Sequence, residues 1–535
     1  MSKLRLSVSG AVLAAVVLAL LNLVSARLYL RADFSSGRVY SLSAGTKRIL
    51  SGLGDPVEIR AYFSRELPPQ FAASRSYVRD MLSEYRSASR GKVRFRFIDV
   101  DRDEAARREA LKEGITPVEF NVVSREKYEV REGFMGLVLQ ASDKREALSV
   151  VSAPEGLEYD LTSTILRLTR PNRKVIGVLS SNGAMGPDRL APPVRASLER
   201  HYDLRPLDLR SLKPGATVPA EVEGLLVLGP QERFSEGDLY ALDQFLVSGR
   251  PLALCLDIKR ADFRTFMASA NDVGLLDWLK AQGISLKQNY VLDLQSQKVE
   301  LTQSRGWFML TNIVDYPLFV LSAELDKEHP LTRGLTAITF PLVSPLSVER
   351  VSGKARVLAR SSKRSWLRSA WARGVVFSIS PLQQLVPAEG DVKGPFALAV
   401  AVEDEFSSYF STGTRRPPKG AQAAAFVSRG PRTGRLFVAG TSRFASSDMP
   451  AGEAGPVLLM NLVDWLALEN DLAAIRSKSA VFRPLYETAP AVKTALRWAN
   501  ILCPSLLAVA FGLHRFRRRR LRRAFRKALY APANP

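Results

Sequence analysis

The residue types that most often carry out acyl transfer are few in this chain. Its 535 residues include three histidines and two cysteines. A hydrolase would need a serine or cysteine on a tight turn between a strand and a helix, with a histidine near enough to take its proton. The turn Leu228-Gly229-Pro230 offers no such nucleophile, and Cys255 lies inside an apolar run typical of a core strand. We therefore predict a protein that is not an enzyme.

One enzymatic alternative stays open. An extracytoplasmic hydrolase acting on cell-wall or amide substrates would bring Cys255 or Ser442 within hydrogen-bond distance of His201 or His329. The distances between these side chains therefore distinguish this alternative from a protein without catalysis.

Acidic residues and phosphate-binding motifs give little support for a bound metal or nucleotide. Asp99, Asp101 and Asp103 alternate after a predicted strand, but no further oxygen ligands follow at the spacing of a calcium loop. We interpret them as a solvated strand end. The chain has no Gly-x-x-x-x-Gly-Lys-[Ser/Thr] motif, so an ATPase that powered transport would be another protein. We predict neither a metal nor a cofactor.

Small polar residues follow several of the predicted buried strands. In a parallel α/β sheet, ligands bind in the crevice outside the carboxyl ends of the strands. We predict such a crevice here, suited to a sugar, a peptide or a partner protein. Its candidate residues are Ser180, Ser181, Asn182, Gly183, Gly229, Pro230, Thr441 and Ser442.

The elements that must position these residues fall into two predicted α/β domains. Residues 31–170 have the order β-α-β-α-β-β, which resembles a thioredoxin-like unit without the Cys-x-x-Cys of its redox members. In residues 171–480 short apolar runs alternate with helices, one of which begins with Ser235 as its N-cap. This alternation predicts a largely parallel sheet. The second domain also resembles the flavodoxin/Rossmann-like fold of glutamine amidotransferases.

Two apolar segments flank this body and predict transmembrane helices. Residues 1–30 contain 21 uncharged residues in a row, about the length needed to cross a bilayer. Cleavage of this segment as a signal peptide after Ala26 is the alternative. Residues 481–513 comprise a linker and a second apolar run. Residues 514–535 form a basic tail expected in the cytoplasm, and its membrane-orienting residues are Arg515, Arg517, Arg518, Arg519, Arg520, Arg522 and Arg523.

The charge pattern then predicts a location. Because basic residues lie beside both apolar segments, we expect both termini in the cytoplasm, two anchors in a bacterial inner membrane, and the body on the periplasmic side. Much of the net charge of +23 belongs to the tail, so no nucleic-acid partner is predicted. Cys255 and Cys503 fall in a core strand and in the second apolar run, so they cannot form a disulfide.

Five stretches of the chain share the order and spacing of one known family. They are residues 40–50, 232–257, 329–335, 435–444 and 461–478. Together they resemble the auxiliary, substrate-binding-like component of ABC transporters of the gliding-motility type. The resemblance implies a non-catalytic body that docks on or gates a permease. The implied partners are ABC permease and ATPase subunits and membrane lipid, with an envelope ligand in the crevice as a further candidate.

The chain departs from that family after its late strand. The family often reads Gly-Asp-Ser-Asp-Phe there, where this chain has Gly440-Thr441-Ser442-Arg443-Phe444. Since both carboxylates are missing, the resemblance implies no cation site at this loop.

Overall fold

The computed structural model describes most of the chain, which forms two compact units, Met1–Val481 and Phe482–Pro535. The described residues are 41–65, 67, 69–101, 103–123, 128–151, 156–170, 172–305, 308–349, 355–368, 371, 376–381, 385–411, 416–418, 426–430, 432–446, 452, 454–479 and 490–529. The predicted first transmembrane segment, residues 1–30, lies outside the described residues.

The first unit contains helices from both predicted domains. They are α1 (Ala44–Ser51), α2 (Pro69–Ala88), α3 (Glu104–Lys112), α4 (Leu157–Thr169), α5 (Pro192–His201), α6 (Glu236–Val247), α7 (Leu276–Ala281), α8 (Ala454–Leu466) and α9 (Asn470–Ser479). Ser235 caps α6 as predicted, because its hydroxyl accepts the Asp238 N–H while the Asp238 carboxylate accepts the Ser235 N–H.

A four-stranded sheet organises the N-terminal part of this unit. Its strands are β1 (Val57–Phe63), β2 (Val93–Asp99), β5 (Met135–Ala141) and β6 (Lys144–Leu148), in the order β2-β1-β5-β6. β1 is parallel to β2 and antiparallel to β5. A separate two-stranded sheet is formed by β3 (Val118–Val123) and β4 (Tyr128–Gly133). The predicted α/β character is thus confirmed, whereas the thioredoxin-like assignment stays a prediction.

A ten-stranded mixed sheet organises the rest of the unit. Its parallel strands are β7 (Val175–Leu179), β8 (Asp203–Leu207), β9 (Val222–Leu228), β10 (Leu252–Cys255) and β25 (Gly434–Ala439), in the order β8-β7-β9-β10-β25. This is the strand order of flavodoxin-like sheets. The antiparallel strands are β13 (Ile284–Leu286), β17 (Glu324–Leu325), β19 (Leu346–Val348), β20 (Ala355–Arg360) and β24 (Ala397–Asp404). The prediction of a largely parallel sheet therefore applies to only five of the ten strands.

Helices cover both faces of the large sheet. Leu225 and Val227 of β9 belong to a core that includes α6, while Leu226 and Leu228 belong to a core that includes α5 and α8. Successive strand residues point to opposite faces, so this alternation assigns one core to each face. Because both faces are buried, β9 reads as a continuous apolar run.

Small antiparallel sheets project from this framework. Their strands are β11 (Lys259–Asp262), β12 (Met267–Ala270), β14 (Val291–Asp293), β15 (Ser296–Arg305), β16 (Phe308–Ser322), β18 (Ile338–Pro341), β21 (Ser365–Leu367), β22 (Val376–Ser378) and β23 (Val392–Lys393). β15 pairs with β16 along its length, whereas β18 pairs only with residues 319–322 of β16. We call the two-stranded part, residues 298–305 and 308–315, the ribbon.

Helix α9 joins the late part of the first unit to its beginning. Leu472 and Ile475 of α9 form a buried cluster with Tyr159 of α4, and Ile49 of α1 packs against it. The Asp471 carboxylate also forms an ion pair with Arg48 of α1. The helix that ends the second predicted domain is therefore packed on the first.

A buried ion pair fixes α9 against α8. The Arg476 guanidinium lies 2.8 Å from the carboxylate of Asp464, and the two side chains are 6% and 0% exposed. Tyr202 donates a hydrogen bond of 2.8 Å to Asp464, and Arg476 lies over the ring of Tyr159. Burial raises the pKa of Asp464, which the hydrogen bond from Tyr202 opposes, and burial lowers the pKa of Arg476 to about 9. The short contact between the two groups offsets part of the cost of burying both charges.

The structure of the second unit contradicts two predictions. It contains helix α10 (Pro490–Leu529), and in the part of the chain that the structure describes no helix is long and apolar enough to cross a membrane. The predicted span, residues 498–513, is ~24 Å long at ~1.5 Å per residue, against a hydrocarbon core of roughly 30 Å. The fold class with two flanking transmembrane helices is therefore wrong, and so is the bacterial inner-membrane location with a periplasmic body that was derived from it. Arg515, Arg517, Arg518, Arg519, Arg520 and Arg523 are exposed on α10.

The buried ion pair gives a first testable prediction. Arg476→Met leaves the Asp464 carboxylate buried without its counter-charge, so we expect a loss of ~3–5 kcal/mol in the free energy of unfolding. Urea denaturation of the full chain measures it. The matched control is Arg429→Met, which breaks an exposed ion pair with Glu405 and should cost less than ~1 kcal/mol. Equal effects of the two substitutions would contradict the structural role of the buried pair.

Candidate functional site

The predicted crevice residues all lie at one edge of the large sheet. They follow three strands, since β7 ends at Leu179, β9 at Leu228 and β25 at Ala439. β10 lies between β9 and β25, so its following loop reaches the same edge. The structure therefore brings together the loops that the sequence analysis selected.

Asp257, two residues after β10, holds the loop that follows β25. Its Oδ2 accepts a hydrogen bond of 2.5 Å from the Ser442 hydroxyl, and its Oδ1 accepts the Ser442 N–H at 3.0 Å. The Thr441 hydroxyl lies 3.2 Å from the same Oδ1, and its nearer acceptor is the Pro341 carbonyl at 2.8 Å. All three residues are buried. We call Asp257, Thr441 and Ser442 the Asp257 hub, and it fastens two adjacent strand ends to each other.

Neighbouring backbone fills the centre of the predicted crevice. Gly229 has φ +51°, and a Cβ at this position would meet the hydroxyl of Ser442 and the carboxylate of Asp257. Gly440 lies so close to Ser344 that a Cβ would overlap the Ser344 carbonyl, while the Ser344 N–H donates to the Gly440 carbonyl at 2.9 Å. Glycine at both positions allows these close approaches of the backbone.

The loop after β7 is tied down in the same way. The Ser181 hydroxyl donates to Asn182 at 2.8 Å, and the Asn182 amide donates to the Asp238 carboxylate at 3.3 Å. The Asn182 carbonyl accepts the N–H of Gln231 at 2.9 Å. Asn182 is 1% exposed, so its amide serves the fold and is closed to solvent.

The other crevice residues have similar internal contacts. The Pro230 carbonyl accepts a hydrogen bond of 3.0 Å from Asn271, and a Cβ on Gly183 would lie 2.9 Å from the side chain of Gln231. Ser180 is exposed. The residues are thus neighbours as predicted, but their function as a crevice stays a prediction.

The two candidate nucleophiles are poorly placed for chemistry. Cys255 is fully buried in β10, and burial raises the pKa of its thiol well above the ordinary value. The Ser442 hydroxyl is already donated to Asp257. Neither group is in the exposed, activated state that a nucleophile requires.

The two candidate histidines have their contacts elsewhere. His201 contacts Arg167, and His329 accepts the N–H of Leu331 at 3.3 Å. Among the contacts of the described residues, none joins either histidine to a candidate nucleophile. The arrangement therefore lacks the nucleophile and base pairing that the hydrolase alternative requires.

The alternating aspartates form local hydrogen bonds. Asp101 accepts the Ser64 hydroxyl at 2.7 Å, and Asp103 caps α3 by accepting the Ala105 N–H at 2.8 Å. Asp99 accepts the Asp101 N–H at 3.2 Å. Within the described ranges, no three acidic, histidine or cysteine side chains come together as a group that could hold a metal ion.

An open cleft lies away from the predicted crevice. It has a volume of about 380 Å³ and is lined by residues from β6, α4, the segment before β7 and the end of α5, together with Glu469 and Leu472 near the start of α9. His201 lies in this cleft, where burial and the nearby charges of Arg167, Arg200 and Arg173 lower its pKa to about 3. His201 is therefore neutral at physiological pH.

Sequence reasoning missed the residues that hold these elements together. Asp257, Asp464 and Arg476 were included only in stretches that resemble a family, residues 232–257 and 461–478. A signal was present for Asp464, which lies between Leu462-Val463 and Trp465-Leu466 in an apolar helix. A carboxylate in such a position is seldom buried without a partner.

The Asp257 hub gives a second prediction. Asp257→Ala leaves both the N–H and the hydroxyl of Ser442 without their acceptor, so we expect the free energy of unfolding to fall by about 3 kcal/mol or more. Ser442→Ala removes one hydrogen bond and should cost roughly half as much. Chemical denaturation measures both. The control is Asp272→Ala, which breaks an exposed ion pair with Arg233. An equal loss in the free energy of unfolding there would contradict the structural role of the hub.

The neutral His201 gives a third prediction. Its folded pKa of about 3 lies below the ordinary 6.5, so between these values the unfolded chain binds a proton that the folded chain does not. The free energy of unfolding should therefore fall as pH drops below about 6.5, by about 2 kcal/mol at pH ~5. His201→Gln should remove this part of the pH dependence, whereas His514→Gln, at an exposed position on α10, should leave it unchanged. Parallel pH profiles of all three chains would contradict the prediction.

Comparison with known proteins finds a distant relative and weak likenesses to solved structures. The chain is 22% identical over 341 residues to an uncharacterized protein of Borreliella burgdorferi, a match that covers 62% of this chain and 65% of that protein. The chain thus spans less than two thirds of that relative's length. The mmIFT52 N-terminal domain is 14% identical, with 54% of this chain and 96% of that domain covered and a TM-score of 0.32. That likeness is too weak to support an argument.

Two family models match the chain itself. A domain of unknown function, DUF7088, matches residues 36–140, and the family described as an ABC-type uncharacterized transport system matches residues 173–458. The second match covers more than half of the chain and most of the large sheet. It confirms the predicted resemblance to ABC transporter auxiliary proteins, while the gliding-motility type stays a prediction. The chain belongs to the family of ABC-type uncharacterized transport system proteins.

Proposed function

We propose that this chain is a non-catalytic auxiliary component of an ABC transport system, and that its α/β body docks on or gates the membrane permease. The observation that carries the proposal is the family match over residues 173–458. An ATP-binding subunit from another chain would supply the energy, because this sequence has no phosphate-binding loop of the required type.

The closed strand ends support a role without catalysis. In flavodoxin-like sheets this edge is where ligands bind. Here Asp257 occupies it with hydrogen bonds to its own neighbours, and Cys255 is buried beneath. The hydrolase alternative has no comparable support from the described contacts, and a protein that works by binding other subunits fits them better.

The ribbon supports docking on a partner. Beyond β18, residues 298–305 and 308–315 pair with each other, and no other described strand pairs with them. Open strand edges present backbone N–H and C=O groups that a partner's strand can use. Ile313 on the ribbon is 65% exposed, an unusual position for a large apolar side chain in a monomer. The ribbon is therefore our candidate contact surface.

Co-purification tests the docking proposal. The full-length chain, expressed together with a candidate permease and ATPase subunit of the same organism, should be recovered together with them. Ile313→Asp should reduce that recovery, with about a tenfold loss of affinity, because a charge replaces an apolar contact in the interface. The matched control is Val376→Asp on β22, a site that is 53% exposed and outside the ribbon.

Two results would count against the proposal. Recovery of the chain without any permease or ATPase subunit would exclude a stable complex. An equal effect of the Ile313 and Val376 substitutions would exclude the ribbon as the contact surface.

A further inference from the structure

The cleft beside His201 is strongly basic. The charged residues that line it are Lys144, Arg145, Arg167, Arg170, Arg173 and Lys174 on the basic side, and Glu146 and Glu469 on the acidic side. Six cations thus face two carboxylates. Positive charges that converge in a concave site raise the local concentration of anions.

The two carboxylates of the cleft are already used within the protein. Glu469 binds Arg170 and lies 3.1 Å from the ammonium group of Lys174. Glu146 accepts a hydrogen bond of 3.1 Å from Arg167. Both are therefore neutralised by neighbouring cations, and Arg145 forms an ion pair with Glu113 outside the cleft, which leaves the charges of Lys144 and Arg173.

The two remaining cations are available to a ligand. Lys144 donates to the Arg170 carbonyl at 2.8 Å and Arg173 donates to the Glu199 carbonyl at 3.2 Å, so each retains further donors. Neither forms an ion pair with a described carboxylate. Both are exposed at the cleft, Lys144 from β6 and Arg173 from the segment before β7.

The neutral form of the His201 ring is consistent with an excess of positive charge in the cleft. The charges of Arg167, Arg200 and Arg173 all disfavour a proton on its ring. A neutral imidazole adds no positive charge but keeps one donor and one acceptor. A second depression shares Glu146, Ser163, Arg167 and His201 with the cleft and adds one cation, Arg200, and one carboxylate, Asp160.

We propose that this cleft binds the phosphate group of a small anionic molecule. A guanidinium group offers paired N–H donors that match phosphate oxygens, and a dianion offsets two of the excess positive charges. The volume of about 380 Å³ lies within the range of small-molecule sites and leaves room for more than the phosphate. One wall of the cleft comes from β6 and α4, and the other comes from the segment before β7 and the end of α5. The bound group would therefore bridge the part of the unit built on the four-stranded sheet and the part built on the ten-stranded sheet. This site is separate from the ribbon and independent of the docking proposal.

Calorimetric titration of the full-length chain with inorganic pyrophosphate, at constant ionic strength, tests the site. We expect saturable binding and a rise in the thermal unfolding temperature, since a ligand that binds only the folded state stabilises it. Arg173→Ala and Lys144→Ala should each weaken binding by about tenfold, the usual effect of losing one charge-assisted hydrogen bond. Arg264→Ala, an exposed arginine on the turn between β11 and β12, is the control and should bind as the unaltered chain does.

A second experiment distinguishes a phosphate carried by a lipid headgroup from one carried by a water-soluble molecule. Vesicles containing phosphatidate are added, with phosphatidylcholine vesicles as the reference. Binding of phosphatidate vesicles that pyrophosphate displaces would identify a lipid headgroup as the source, and binding of pyrophosphate alone would identify a water-soluble phosphate. The proposal is overturned if neither probe binds, or if Arg173→Ala, Lys144→Ala and Arg264→Ala all bind as the unaltered chain does.

Discussion

The buried ion pair between Asp464 and Arg476 is the interaction on which the arrangement of the first unit depends. Removing two charges from water is costly, and the cost is recovered only when the partners meet at short distance with further polar contacts. Tyr202, directly after α5, and Tyr159 of α4 supply those contacts. A shifted α9 would leave two buried charges apart, so this pair specifies one position for the helix.

The Asp257 hub is a second buried polar cluster, and it lies at the carboxyl edge of the parallel strands. In related α/β architectures the carboxyl edge of the parallel strands is kept open for a ligand. In this protein hydrogen bonds to Asp257 and two close-packed glycines join the neighbouring strand ends to each other. The surfaces for which we propose partners are the basic cleft and the ribbon. A fold that commonly supports catalysis is thus compatible with a role in assembly.

The sequence was most informative where local patterns determine the structure. The apolar runs of β7, β9, β10 and β25 and the cap at Ser235 were all recognisable, because burial on both faces and helix capping leave a local mark. The antiparallel half of the large sheet was missed, since β13 and β19 are three residues each and carry too little periodicity. The crevice residues lie at one edge of the sheet, but the hydrogen bonds there depend on Asp257 meeting Ser442 across 185 positions of sequence, which no local pattern indicates. The membrane prediction failed on length, because an apolar run of 16 residues lies within a much longer helix.

The position of α9 also sets an order of events during synthesis. Helices α1 and α4 bury apolar side chains against a segment that leaves the ribosome more than 300 residues later. Until then Tyr159 and Ile49 lack their partners, and contacts of such high sequence separation are slow to form. Helices α1 and α4 therefore reach their final packing only after residues 470–479 have been synthesised, and until then part of their apolar surface is exposed.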